Sequence, residues 1–216
     1  AVDPIDFFTT GLPTDGDLVN DGVRHYLHAG TVLRARNGQL THRLNARFFD
    51  SRNVNLVDGL WSASTASDRA RFVYQADIAI NENILALALE HERTEFKQRG
   101  AVNFGDPNQD QAMDVSSLVA DFQGTLSDAV TVQASARFDD NSEFDDAFTG
   151  RLAFSWQATD LLRFRASAGA GQKSPTFIER YGFFTSQFVG NPDLETERWM
   201  SYELGAETSL ADESLR

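Results

Sequence analysis

The sequence predicts an all-β fold: an antiparallel up-and-down transmembrane β-barrel, with about nine strands present in residues 1–216. Three observations carry this. Side chains alternate apolar and polar with period 2 along most of the chain, and helical periodicity is nearly absent. The alternating segments run about 10 to 14 residues, against about 5 to 6 for soluble strands and about 9 to 11 for a tilted membrane-crossing strand. The connections alternate short and long, as do the periplasmic turns and outward loops of such barrels.

Taken in order, residues 22–36 form a first, weaker strand, ending at Asn37-Gly38, a strong short-hairpin signal. Leu44, Ala46 and Phe48 oppose Arg43, Asn45 and Arg47, and residues 51–67 read as a long connection. Phe72, Tyr74, Ala76, Ile78 and Ile80 then oppose Arg71, Gln75 and Asp77, with a short turn at 81–83. Leu85, Leu87 and Leu89 oppose Ala86, Ala88 and Glu90, followed by a longer connection at 100–111. Leu118, Ala120 and Phe122 alternate with Ser117, Asp121 and Gln123 up to a short turn at 125–128. The clearest strand follows, with Val130, Val132, Ala134, Ala136 and Phe138 on one face and Thr131, Gln133, Ser135, Arg137 and Asp139 on the other. A one-residue slip would exchange those faces, so the register is strongly specified.

After a connection at 140–145, Phe148, Leu152, Phe154 and Trp156 oppose Thr149, Arg151, Ser155 and Gln157. A short turn at 158–160 leads to Leu162, Phe164, Ala166 and Ala168, opposing Arg163, Arg165 and Ser167. The longest connection, 171–197, precedes Met200, Tyr202, Leu204 and Ala206, opposing Ser201, Glu203 and Glu207, and a last short turn falls at 211–213. The alternation assigns the long connections to the outward side. Aromatic residues near the ends of apolar faces suit interfacial girdles. Alternation is also met in a soluble barrel with an apolar interior, but strand length and lopsided loops favour the membrane reading.

Composition narrows the function classes. The net charge of −13 excludes a nucleic-acid partner, which needs a basic surface. With no cysteine, no thiolate metal site, disulfide or cysteine nucleophile is available. No apolar run is long enough for a transmembrane helix; the stretch at Ile84–Leu89 is far too short.

The segments RFDDNSEFDDAFTGRLAFSW from Arg137, LLRFRASAGAGQKSPTFIERYG from Leu161 and GNPDLETERWMSYELGAETSL from Gly190 resemble the barrel of TonB-dependent outer-membrane receptors. The most specific pieces are Lys173 to Phe177 with Glu179-Arg180-Tyr181, then Gly190 to Leu194, Glu197, and Tyr202 to Gly205. The stretch Arg137 to Phe144 is similar to the cobalamin-receptor branch. The resemblance implies a barrel of roughly 22 strands enclosing a plug. Residues 1–216 then read as part of that barrel domain, without the plug and the terminal strands. It implies a bacterial outer-membrane location and active uptake of a scarce nutrient, cobalamin or a ferric siderophore. A TonB-type protein would supply the energy through the plug, and membrane lipid and lipopolysaccharide would surround the barrel. The alternative is a passive porin or an adhesin-type barrel. No catalytic residues and no resident cofactor are expected.

Four residue sets invite chemistry, and a fifth only hints at it. Asp106, Asn108, Asp110 and Asp114 carry oxygen-ligand spacing that opens a calcium loop, although Gln111 and Ser117 stand where an EF-hand needs Gly and Glu. Looser calcium binding is the expectation there, against a plain solvated acidic surface. Tyr181, Phe183, Phe184 and Phe188 lie on an outward loop and would line a ligand entrance or pack the loop against its neighbours. Arg43, Arg47, Arg71, Asp77, Glu90, Glu92, Arg137, Arg151, Arg163, Arg165, Glu203 and Glu207 share the face assigned to the lumen. His25 and His28, three apart, fall on opposite faces of a strand and cannot easily share a metal. Gly169 to Ser174 hints at a phosphate loop, but Gln172 interrupts the spacing and Pro175 follows in place of a helix.

Overall fold

A computed structural model describes residues 17–102, 105–184 and 188–209. Nine antiparallel strands form one sheet: β1 (Leu18–Ala35), β2 (Leu40–Val57), β3 (Leu60–Ile80), β4 (Asn83–Gly100), β5 (Gln109–Ser127), β6 (Val130–Asn141), β7 (Ala147–Gln157), β8 (Leu162–Lys173) and β11 (Glu197–Thr208). Each strand pairs with the next in sequence, and β8 pairs with β11. Between these two lie a short helix, α1 (Phe177–Tyr181), and a small hairpin of β9 (Phe183–Phe184) and β10 (Phe188–Val189). The turn expected at 211–213 lies outside the described residues.

The register confirms the two faces residue by residue. Thr31, Leu44, Tyr74, Leu89, Leu118, Phe138 and Phe148 form one continuous cross-strand row. One residue along, Gly30, Asn45, Val73, Glu90, Ser117 and Asp139 form the neighbouring row on the opposite face. Directly opposed side chains are the unit of sheet stabilisation, and the apolar face has aromatic examples. Trp156 stacks on Phe164, directly opposite, at 5.8 Å, and Phe48 meets its diagonal neighbour Phe72 edge-on at 5.6 Å. Large apolar residues stay open on this face, among them Leu152 at 55% and Leu204 at 86% exposure. An apolar face of this size left uncovered is the mark of a surface made for lipid. On β3 the apolar part runs from Phe72 to Ile80, about 30 Å of strand, or roughly 25 Å of height at barrel tilt.

Two expectations require correction. Residues 51–67 are not a loop. β2 and β3 stay paired to Val57 and Leu60, with a bulge at Asn55/Leu56, and close through Asp58-Gly59, both at positive φ (50° and 75°). The strands therefore run from 11 to 21 residues, more than the pattern suggested at the upper end. Beyond the apolar band the hydrophobic alternation fades while the backbone ladder continues. The short–long alternation also breaks here, because β2 and β3 reach outward as a hairpin and not as a loop. The turn at Asn37-Gly38 is a four-residue connection, with Arg36, Asn37 and Gly38 all at positive φ. The connections at 101–108, 142–146 and 174–196 fall where the sequence placed loops.

Cysteine at Leu152 should react with a lipid-soluble probe in outer-membrane vesicles, and cysteine at Arg151 should not. Labelling in the reverse order would mean that the apolar face points inward.

Candidate functional site

The face opposite the apolar one carries a ladder of charge. Glu90 lies between two arginines: Arg71 Nη2 is 2.8 Å and Arg137 Nη1 2.7 Å from its Oε2. Arg137 also donates to Asp139 at 2.7 Å and to the Ser117 hydroxyl at 2.6 Å. Arg43 pairs with Asp77 at 2.8 Å, Arg69 reaches Glu92 at 3.5 Å, and Arg165 bonds Glu207 at 2.7 Å. Period 2 puts these groups on one face, and the register brings partners from four strands, β3 to β6, together. Toward the tight-turn end, a groove of about 800 Å³ has Gln133, Arg151, Arg165, Glu203 and Glu207 in its lining.

The apolar face changes character toward the outward end of β1–β5. There Arg52 clamps Asp68 through two bonds of 3.1 Å and pairs with Asp50 at 2.7 Å. Arg93 joins Asp114 at 2.8 Å and Glu95 at 3.0 Å, and Arg99 forks onto Asp110. These are mostly exposed pairs that contribute little singly; their arrangement as a belt beyond the apolar band is the informative feature.

The structure therefore gives the proposed calcium residues other partners. Asp106 accepts from both the backbone N–H and the side-chain amide of Asn108, which holds its carboxyl below the usual carboxylate range. Asp110 and Asp114 belong to the arginine belt, and among the described residues no three such groups converge as a metal-holding cluster. His25 and His28 face opposite sides, toward Asp50 and Asn45. One juxtaposition escaped the sequence: His91 Nδ1 lies 3.1 Å from Ser116 Oγ, and its Nε2 3.7 Å from Asp114. Ser116 pairs with His91 on one side and Asp140 on the other, so the backbone donors of an oxyanion hole are committed to the ladder. Asp114 is already neutralised by Arg93.

The aromatic loop is folded inward as a strap. Residues 174–184 leave β8, cross the outward ends of β6 and β7 and touch the β4–β5 hairpin, and residues 188–196 lead into β11. Thr176 and Glu179 form a reciprocal capping box that starts α1. Phe177 stacks on Phe96 at 6.0 Å. Arg180 pairs with Glu143 at 3.2 Å and lies over the rings of Phe144 and Tyr181. Phe183 covers the bare backbone of Gly105, where an added Cβ would stand 2.5 Å from the ring. Tyr181 and Phe183 thus pack the loop onto its neighbours, and Phe188 stays 39% exposed. The side chain of Phe184 lies outside the described residues. The T-x-x-E signature at 176–179 was the sequence signal for α1, which the strand reading passed over.

The TonB-dependent receptor-like β-barrel family matches residues 3–216. The chain belongs to this family. It is 32% identical over 128 residues to the vitamin B12 transporter BtuB of Vibrio vulnificus, covering 58% of this chain and 19% of that protein. A second BtuB, from Photobacterium profundum, is 25% identical over 181 residues, 80% of this chain and 28% of the relative. The siderophore receptor PirA of Pseudomonas aeruginosa shares the fold, with a TM-score of 0.70 at 16% identity over 88% of this chain and 37% of that one. This TonB-dependent receptor barrel chain thus spans less than a third of the BtuB sequences it matches.

Two outcomes test the strap. Gly105→Val, at a φ of 137° and under Phe183, should cost about 1–3 kcal/mol of strap docking through overpacking. Chymotrypsin should then cleave after the strap aromatics of the full-length receptor in vesicles, where the native strap resists. The Thr176 N–H and hydroxyl, and more weakly Lys173, hold the Glu179 carboxyl below its ordinary value. A lowered folded value means the cap is fully present above about pH 4.3, the usual glutamate value. It is lost as pH falls through the lowered value, and a drop in amide protection at 176–180, measured against the intrinsic exchange rate at each pH, would show it.

Proposed function

We propose that this chain is part of the wall of an outer-membrane receptor that actively takes up a scarce nutrient, cobalamin or a ferric siderophore. The observation that carries the reading is the family match over nearly the whole chain, joined to a sheet whose apolar face is continuous and whose other face is ionic. The apolar face would meet membrane lipid. The ionic belt beyond it would sit at headgroup depth, against lipopolysaccharide. The charged ladder around Glu90 would face the lumen, where a plug domain would be seated and moved by a TonB-type energy-coupling protein. The two BtuB relatives favour cobalamin and the structural likeness to PirA favours a siderophore; residue identity supports the first more strongly.

Uptake of radiolabelled cyanocobalamin and of a ferric catecholate should be measured in cells carrying the full-length receptor, with and without the energy-coupling protein. Saturable uptake of one of them, lost without coupling, is the expected result. Uptake that rises linearly with concentration and ignores coupling would replace this reading with a passive pore.

A further inference from the structure

We propose that residues 176–183 are latched to the β4–β5 hairpin by Gln98 and Gln109, forming a fixed segment of the lumen's outward mouth and not a loop that swings over it. This holds whichever solute the receptor carries.

Gln98 is 2% exposed, the largest fully buried side chain among the described residues, and it is polar. A buried amide is costly unless its donors and acceptor are engaged. Here the partners come from a segment 85 residues away: Nε2 donates to the Phe183 carbonyl at 2.6 Å, while Oε1 accepts the Phe183 N–H at 3.3 Å. The side chain thus grips the backbone of one residue at both its N–H and its carbonyl, as a neighbouring strand would. Gln109, on the adjacent strand, donates to Gln98 Oε1 at 3.2 Å and also to the Tyr181 carbonyl. Two side-chain amides and two strap residues form one closed set.

The sheet explains why a latch is needed at this place. β5 begins at Gln109, but its pairing with β6 begins only at Val115 opposite Asn141. The outward stretch of β5 from Gln109 to Asp114 has no β6 neighbour along most of its length. Uncovered strand edges of this kind are normally paired or covered. The strap fills the notch above the shorter strands, with Phe177 on Phe96, Phe183 on Gly105 and Arg180 held by Glu143. Lifting it would break the three bonds from Gln98 and Gln109 to the Phe183 and Tyr181 backbone at once and unstack Phe177 from Phe96, so undocking is disfavoured by roughly 30-fold or more. The height of the mouth on this side is therefore set before any solute arrives.

The test uses the full-length receptor in outer-membrane vesicles with no solute added. The Phe183 amide should exchange with deuterium at least roughly 30-fold more slowly than a free loop amide. In Gln98→Glu, which keeps the shape but sets a carboxylate against the Phe183 carbonyl, that protection should fall by about tenfold or more while β6–β7 exchange stays unchanged. Free-loop exchange in the native protein, or full protection in Gln98→Glu, would overturn the proposal. Spin labels at Val102 and Val189, both exposed, decide the matter should Gln98→Glu fail to assemble. A single narrow distance supports the latch, and a broad distribution overturns it. These readouts do not involve transport, so failure of the uptake assay and failure of the latch remain distinct results.

Discussion

A backbone crossing hydrocarbon finds no water, so every N–H and C=O must bond within the protein. That requirement fixes the rest of this structure. Each strand from β2 to β8 is paired on both sides, and the paired register aligns side chains in rows across the sheet. Once Leu89 is opposite Tyr74 and Leu118, Glu90 must fall opposite Val73 and Ser117 on the other face. A slip of one residue at any strand would carry Arg137 or Glu90 to the apolar side, and the cost of charge in lipid forbids it.

The ionic face answers the same rule by different means. Glu90 is the acceptor shared by Arg71 and Arg137, and Arg137 is held in turn by Asp139 and Ser117. Each group in this cluster has a partner on its own or a nearby strand, so the wall can face a lumen without stranded charge. The strap extends the logic beyond the sheet. Where β6 to β8 stop short, side-chain amides and stacked rings stand in for the missing ladder, and Gln98 takes the part of a strand neighbour.

Strands within the apolar band were legible because lipid on one face imposes strict alternation, as at Val130 to Phe138. Residues 51–67 were not, since this hairpin lies beyond the apolar band and its Ser, Asn and Asp residues carry no strict alternation. Its turn was visible all the same, as Asp58-Gly59. The helix α1 was legible in Thr176 and Glu179 but hidden by the surrounding strand pattern. The latch had no local signal: Gln98 reads as one more polar residue of an outward strand end, and only tertiary placement brings Phe183 to it. The oxygen-ligand spacing of Asp106 to Asp114 was legible along the chain, whereas the pairing of Asp110 with Arg99 and of Asp114 with Arg93 shows only across the strands.

The most direct test of the central claim is the intact mass of the native polypeptide purified from outer-membrane fractions. A wall segment of a plugged receptor predicts a mass about three times the 24.0 kDa of this chain, in keeping with the BtuB relatives, in which 58% and 80% of this chain cover 19% and 28% of those proteins. A native mass near 24.0 kDa would contradict the account, because the nine-stranded sheet of the described residues neither closes a receptor barrel nor encloses a plug.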